Sequence, residues 1–248
     1  MNNELENGFL AMHQALQEDK RLSGRRIPAT PAFWFVTLDP SIPQQLFRQK
    51  VEQISDYLAE RLADYSAHRG GSLTLDEFRE KFLKRRRLNE AVFLFVYSLF
   101  KLRKLLIETS KIYKRNVLSS LIHARLLFDL SLVTEKIIEY KNPSRSKRLD
   151  FVKELKFLSS PRIALSSFDQ HKITVLGNDF KKSFAKPLYG ILRGRYHLAD
   201  IENDFAIAHR IRNFGAHKIE NQPILYNRMS ELSQRILNAL FFTIEHLY

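Results

Sequence analysis

Apolar residues return every three to four positions along most of this chain, the period of a helix with one buried face. Between Gln44 and His68 the series Leu46, Phe47, Val51, Ile54, Leu58 and Leu62 traces such a face, and Gly70-Gly71 closes it. Thr74-Leu-Asp-Glu77 has the capping-box form, in which the Thr hydroxyl and the Glu carboxylate each satisfy an orphan amide, so a new helix is predicted to begin there. Leu75 to Tyr113 is helix-compatible but too long for one uninterrupted globular helix, and a break is expected near Arg87 to Asn89. Val117 to Tyr140, with Leu118, Leu121, Ile122, Leu126, Leu130, Val133 and Ile137 on one side, predicts a central helix ended by Asn142-Pro143. Shorter helices are expected at Leu149 to Leu158, Phe184 to Leu192 and Asp200 to Arg212. A long amphipathic helix is expected from Ile224 to Leu247, through Met229, Leu232, Ile236, Leu240 and Ile244. Two short runs, Phe33 to Leu38 and Lys172 to Leu176, read as extended.

Long amphipathic segments with short connections and no internal repeat or heptad array predict an all-α antiparallel bundle. The early part is punctuated by Pro28, Pro31, Pro40 and Pro43, with a short helix expected at Gly8 to Arg21 before a Ser-Gly-Arg-Arg hinge. The expected organisation is therefore an N-terminal extension, residues 1–73, carrying one long helix, followed by a helical bundle over residues 74–248.

Composition narrows the setting. With 44% hydrophobic residues, 248 residues can bury a full core. The absence of cysteine excludes disulfides and thiolate metal sites, and a reducing cytoplasm is the expected location. The first residues are acidic rather than basic and lack a long apolar run, unlike a secretory signal. The most apolar stretch, Ala91 to Phe100, is far short of the roughly 20 residues a membrane-crossing helix requires, so no membrane span is expected.

A formal net charge of +13 changes the picture most, because it creates an attractive field for polyanions. Nucleic acid is the default partner; a basic surface that only aids solubility or meets an acidic protein is the other reading. Arg85, Arg86 and Arg87, preceded by Lys81 and Lys84, form the densest basic cluster, extended by Lys101, Arg103 and Lys104. Such a cluster can track an RNA backbone or simply be a solvated helix face. Arg193-Gly-Arg195-Tyr196 adds a basic aromatic spot able to stack a base. No His-Glu-x-x-His, phosphate-binding glycine loop or dinucleotide fingerprint is present, and no cofactor or metal is implied.

The run Arg210-Ile-Arg-Asn-Phe-Gly-Ala-His217 carries the candidate chemistry. Gly215 is expected to break the helix, which would bring the Arg212 guanidinium and the His217 imidazole toward one small volume across a turn. Arg212-Asn213-Phe-Gly-Ala-His217, four residues between Arg and His with Asn after Arg, just before the last long helix, resembles the mark of the HEPN superfamily of RNA-cutting proteins. The resemblance covers roughly Thr74 to Tyr248. It implies a HEPN-like bundle that dimerises with two copies of the motif facing across the symmetry axis. It also implies metal-independent RNA cleavage, in which a ribose 2′-hydroxyl attacks the neighbouring phosphorus and leaves a 2′,3′-cyclic phosphate and a 5′-hydroxyl.

The residue types suit that reaction. Imidazole titrates near neutrality, so His217 is assigned the acid–base work. Arg212 stays charged and offers a planar fork of donors to the non-bridging phosphate oxygens. Asn213 has no proton to transfer and is expected to orient His or phosphate. Arg210 and Lys218 are candidates for steering phosphate, and Asp129 or Glu135 on the central helix for pairing with Arg212. The ordinary alternative is that Arg212 caps helix carbonyls and His217 is solvated.

The function expected from these features is a homodimeric endoribonuclease serving as a toxin or antiphage defence effector, with an antitoxin or regulatory protein as a further partner. A non-catalytic HEPN-type RNA-binding or dimerisation module is the first rival. A helical DNA-binding protein is the second, and the chain offers no convincing recognition helix for it.

Overall fold

The computed structural model describes residues 47–109, 117–141, 168–178, 183–217 and 222–248, and among them the chain is all-α with no strand. The expected elements at Gly8 to Arg21, Phe33 to Leu38 and Leu149 to Leu158 lie outside the described residues. The helices are α1 Phe47–Arg69, α2 Leu75–Phe78, α3 Asn89–Thr109, α4 Val117–Lys141, α5 Gln170–Asn178, α6 Ala185–Leu192, α7 Asp200–His217, α8 Pro223–Asn227 and α9 Met229–Leu247.

Local chemistry sets most of the boundaries. α1 stops where Gly70 takes φ +68°, a left-handed conformation that costs glycine nothing. The capping box forms as expected: Glu77 N donates to Thr74 Oγ1 at 3.2 Å while Thr74 N donates to Glu77 Oε2 at 2.9 Å. α2 then widens into a π-helical turn over Arg79–Leu83, and a 3₁₀ turn over Arg86–Leu88 separates it from α3. The break expected near Arg87 to Asn89 is therefore present. Its use is visible in the core, where Phe78 and Phe82 meet edge to face, both against Phe95, with Phe241 edge-on to Phe78.

Two expectations are corrected. Lys172 to Leu176 is not extended but lies inside α5, because Ile173 and Leu176 are three apart and both buried, a helical rather than an alternating pattern. The single helix expected from Ile224 to Leu247 is two, α8 and α9, joined through Arg228 at φ −119°, ψ 23°; Pro223 occupies the first turn of α8, where its missing N–H is harmless.

α4 is the central helix, packed against α3, α7, α8 and α9. α7 in turn packs against α4, α5, α6 and α9, so the segment carrying the candidate chemistry runs through the middle of the molecule. The helix Phe47–Arg69 shares this core: Ile54, Tyr57, Leu58, Leu62 and Tyr65 belong to the same buried apolar cluster as Leu130, Phe205 and Leu240. A buried polar knot also ties α1 to α7 and α9. The Asp204 carboxylate is inaccessible to solvent and accepts from Arg69 Nε at 2.5 Å, Arg235 Nη1 at 2.9 Å and Asn238 Nδ2 at 3.0 Å. Among the described residues no helix is long and apolar enough to cross a membrane.

Candidate functional site

α7 does not end at Arg212. It continues through Gly215 to His217, so the expected helix break is corrected. The glycine answers a packing demand instead. A Cβ at position 215 would lie 2.5 Å from Phe128 Cδ2 and 2.9 Å from Phe128 Cβ, so only glycine lets α7 approach α4 this closely. On a continuous helix, positions 212 and 217 are separated by about 140° around the axis rather than gathered at one turn.

Arg212 is anchored on α4. Its Nε donates to Glu135 Oε2 at 2.5 Å and its Nη2 to Glu135 Oε1 at 2.7 Å, a fork-to-fork pair. Nη1 donates to Asn213 Oδ1 at 3.2 Å. Of the two carboxylates considered for this role, Glu135 is thus the partner; Asp129 is about one and two-thirds turns away on the same helix and pairs with Arg125 Nε at 3.0 Å. Burial pushes the Asp129 carboxyl above its ordinary range, against the pull of Arg125. Among the described residues, three of the five Arg212 N–H groups are engaged, and the side chain keeps 28% of its surface accessible.

Asn213 faces the other way, toward α5. It is buried, and its Nδ2 donates to Asn178 Oδ1 at 2.7 Å and lies 3.2 Å from His209 Nε2. A continuous chain of contacts therefore runs from His209 and Asn178 through Asn213 to Arg212 and Glu135. His209 sits against α5 at Gly177, where a Cβ would fall 1.7 Å from the imidazole Cδ2. The side chain of His217 and the whole of Lys218 lie outside the described residues, as does the side chain of Arg86.

Arg210 does not steer phosphate. It has no solvent-accessible surface, and its guanidinium donates to three backbone carbonyls: Phe184 at 3.0 Å, Leu176 at 2.5 Å and Ser183 at 2.7 Å. It also covers the Phe184 ring, which stacks on Phe214 at 4.0 Å. The residue is a clamp joining the end of α5 to the start of α6. Tyr196 likewise packs rather than presents a free face, its ring lying where a Cβ on Gly190 would be.

Arg85 and Arg87 are exposed, as an RNA-positioning role requires. Arg85 does not stand alone. Its guanidinium lies 5.2 Å from the centroid of the Tyr248 ring, and Lys141 Nζ lies 4.4 Å from the same centroid. Burial, with Arg85 adding to it, holds the Lys141 ammonium below its ordinary value. Lys141 ends α4 about 9 Å along the axis from Glu135, so one member of this basic aromatic spot lies on the helix whose Glu135 anchors Arg212.

Sequence reasoning noted His209 beside the motif without giving it a role, and missed Asn178, Lys141 and Tyr248. Positions 209, 213 and 217 recur at four-residue spacing on α7, and that stripe was the available signal for His209. Nothing local pointed to the other three, which are brought in by tertiary packing. No family model, no curated protein and no solved structure matches this chain.

Proposed function

We propose that this chain is a metal-independent endoribonuclease of the HEPN type that acts as a homodimer on RNA. What carries the reading is Arg212: a guanidinium held by Glu135, still partly exposed, with N–H groups that no other described residue engages and that a phosphate could take. Pre-positioned donors of this kind stabilise the charge that gathers on non-bridging oxygens as a phosphodiester reacts. In the proposed step the 2′-oxygen bonds to phosphorus, the bond to the 5′-oxygen breaks, the 2′-proton goes to a base and the 5′-oxygen receives a proton. His217 does the acid–base work, since imidazole serves both directions near neutral pH.

A continuous α7 separates positions 212 and 217 by about 140°, which suits a two-fold arrangement in which one copy's Arg212 and the other's His217 meet the same phosphate. Asn213 acts from within each chain by holding Arg212, rather than by touching substrate. Arg85, Arg87, Lys141 and Tyr248 extend the basic path for the strand. A role as a toxin or antiphage effector in the cytoplasm, restrained by an antitoxin or another regulatory partner, follows from the family resemblance alone.

One observation favours a second reading, a non-catalytic RNA-binding or dimerisation module: Glu135 neutralises Arg212 and so weakens its pull on phosphate. Incubation of a mixed RNA pool with the purified chain in EDTA, alongside His217→Ala, separates the two. Cyclic-phosphate ends that vanish in the variant support the nuclease; RNA bound but left intact by the unaltered chain supports the module.

A further inference from the structure

We infer that His209 is a positioning residue for Arg212, acting through the side-chain amide of Asn213. Its consequence for catalysis rests on the nuclease reading, whereas its geometry rests on contacts alone.

Arginine has no acceptor, so the end of the Asn213 amide that lies 3.2 Å from Arg212 Nη1 has to be the oxygen. That fixes the other end: Nδ2 faces Asn178 Oδ1 at 2.7 Å and His209 Nε2 at 3.2 Å. A ring nitrogen facing an NH₂ group serves it only as an acceptor. His209 therefore carries its proton on Nδ1 and presents a bare Nε2, the neutral tautomer. Both Nδ2 hydrogens are then committed, and the amide cannot turn its oxygen away from Arg212 without losing two bonds on its buried side. Glu135 fixes the opposite edge of the same guanidinium.

His209 has no accessible surface, so water does not substitute for its Nε2. Its position is itself imposed: α5 has a glycine at 177 where any side chain would collide with the imidazole, the Cβ falling 1.7 Å from Cδ2 and 2.6 Å from Nε2. Gly177 and Asn178 thus form one seat, the first admitting the ring and the second sharing the amide it holds.

The test uses the full chain and two substitutions of His209. In His209→Gln the side-chain oxygen still accepts from Asn213 Nδ2; His209→Leu fills the volume without an acceptor. Solvent exchange of the Arg212 Nη–H groups, one of which donates to Asn213 Oδ1, followed by ¹⁵N NMR, needs no enzymatic activity. It is expected to stay close to wild type in His209→Gln and to rise about tenfold in His209→Leu, the loss of one buried hydrogen bond. Cleavage by His209→Leu is expected to fall on the order of 10²-fold in kcat with KM little changed, and His209→Gln to recover most of it. Equal exchange at Arg212 in wild type and His209→Leu overturns the inference, as does failure of His209→Gln to differ from His209→Leu. The imidazole ¹⁵N spectrum of the unaltered chain tests it without any variant: a His209 protonated on Nε2 overturns it. If exchange follows the expected order while no form cuts RNA, the positioning role stands and the nuclease reading falls.

Discussion

Arg212 and Glu135, 77 residues apart in sequence, meet as a fork-to-fork ion pair between α7 and the central helix, with both carboxylate oxygens in use. The pair holds the guanidinium plane in place, and a phosphate would meet it already oriented. Glu135→Ala is expected to reduce RNA cleavage by about 10²-fold through loss of that orientation, although Glu135 has no role toward RNA itself. Arg212→Lys is expected to do no better than Arg212→Ala, since an ammonium cannot reproduce the fork. Rate measurements on one labelled oligoribonucleotide check both; a Lys variant with near-normal turnover contradicts the fork.

Gly215→Ala separates the packing role of the glycine from the helix break that the sequence suggested. Alanine gains about 1 kcal/mol in helix propensity, while overpacking against Phe128 costs about 1–3 kcal/mol, so a net loss of stability is expected. In a Phe128→Ala background the clash is gone and the same substitution is expected to stabilise. Urea denaturation of the four proteins in this cycle reads the change of sign.

The basic residues divide by burial into two groups with opposite phenotypes. Arg210→Met leaves three carbonyls without their donor and is expected to destabilise the fold by about 3–5 kcal/mol. Arg85→Ala with Lys141→Ala is expected to leave the melting temperature nearly unchanged and to weaken RNA binding. The dependence of log K on log salt should become shallower by roughly 1.4 if both contact phosphate, at about 0.7 per contact on a single strand. An unchanged slope would remove these residues from the RNA path.

Glu245 gives an acid-sensitive contact between α9 and the turn after α1. Burial opposes its ionisation, but hydrogen bonds from Tyr65 at 2.5 Å and from Ser72 outweigh that effect and hold its carboxyl below the ordinary range. A carboxyl depressed in the folded state contributes stability that is present above its unfolded pKa, about 4.3, and is lost as pH falls through the folded value. Glu245→Gln is therefore expected to narrow its stability gap from wild type as pH falls below about 4. Denaturation midpoints measured between neutral and acid pH check the sign; a gap that widens toward acid contradicts it.

The legible part of this fold was the part dictated locally. The capping box at Thr74 and Glu77, the stop at Gly70 and the break before Asn89 each depend on residues within a few positions of one another, and each is where the chain pattern placed it. Gly215 misled because glycine has two uses, a left-handed backbone and the absence of a side chain, and only the position of Phe128 on α4 decides between them. Arg210 and Arg212 are two residues apart and alike in chemistry, yet one is sealed inside and the other partly open, because positions two apart on a helix point to different neighbours. The choice between Asp129 and Glu135 depended on how far α7 slides along α4, which no spacing within either helix encodes.

The most direct test is cleavage in EDTA of one oligoribonucleotide carrying a mapped cut site, compared with the same oligonucleotide bearing a single 2′-deoxy sugar on the 5′ side of that site. The wild-type chain is expected to cut the first to a 2′,3′-cyclic phosphate and to leave the second whole at that position, with Arg212→Ala and His217→Ala cutting neither. Equal cleavage of both strands, or unchanged cleavage by His217→Ala, would contradict 2′-hydroxyl attack at an Arg212–His217 centre.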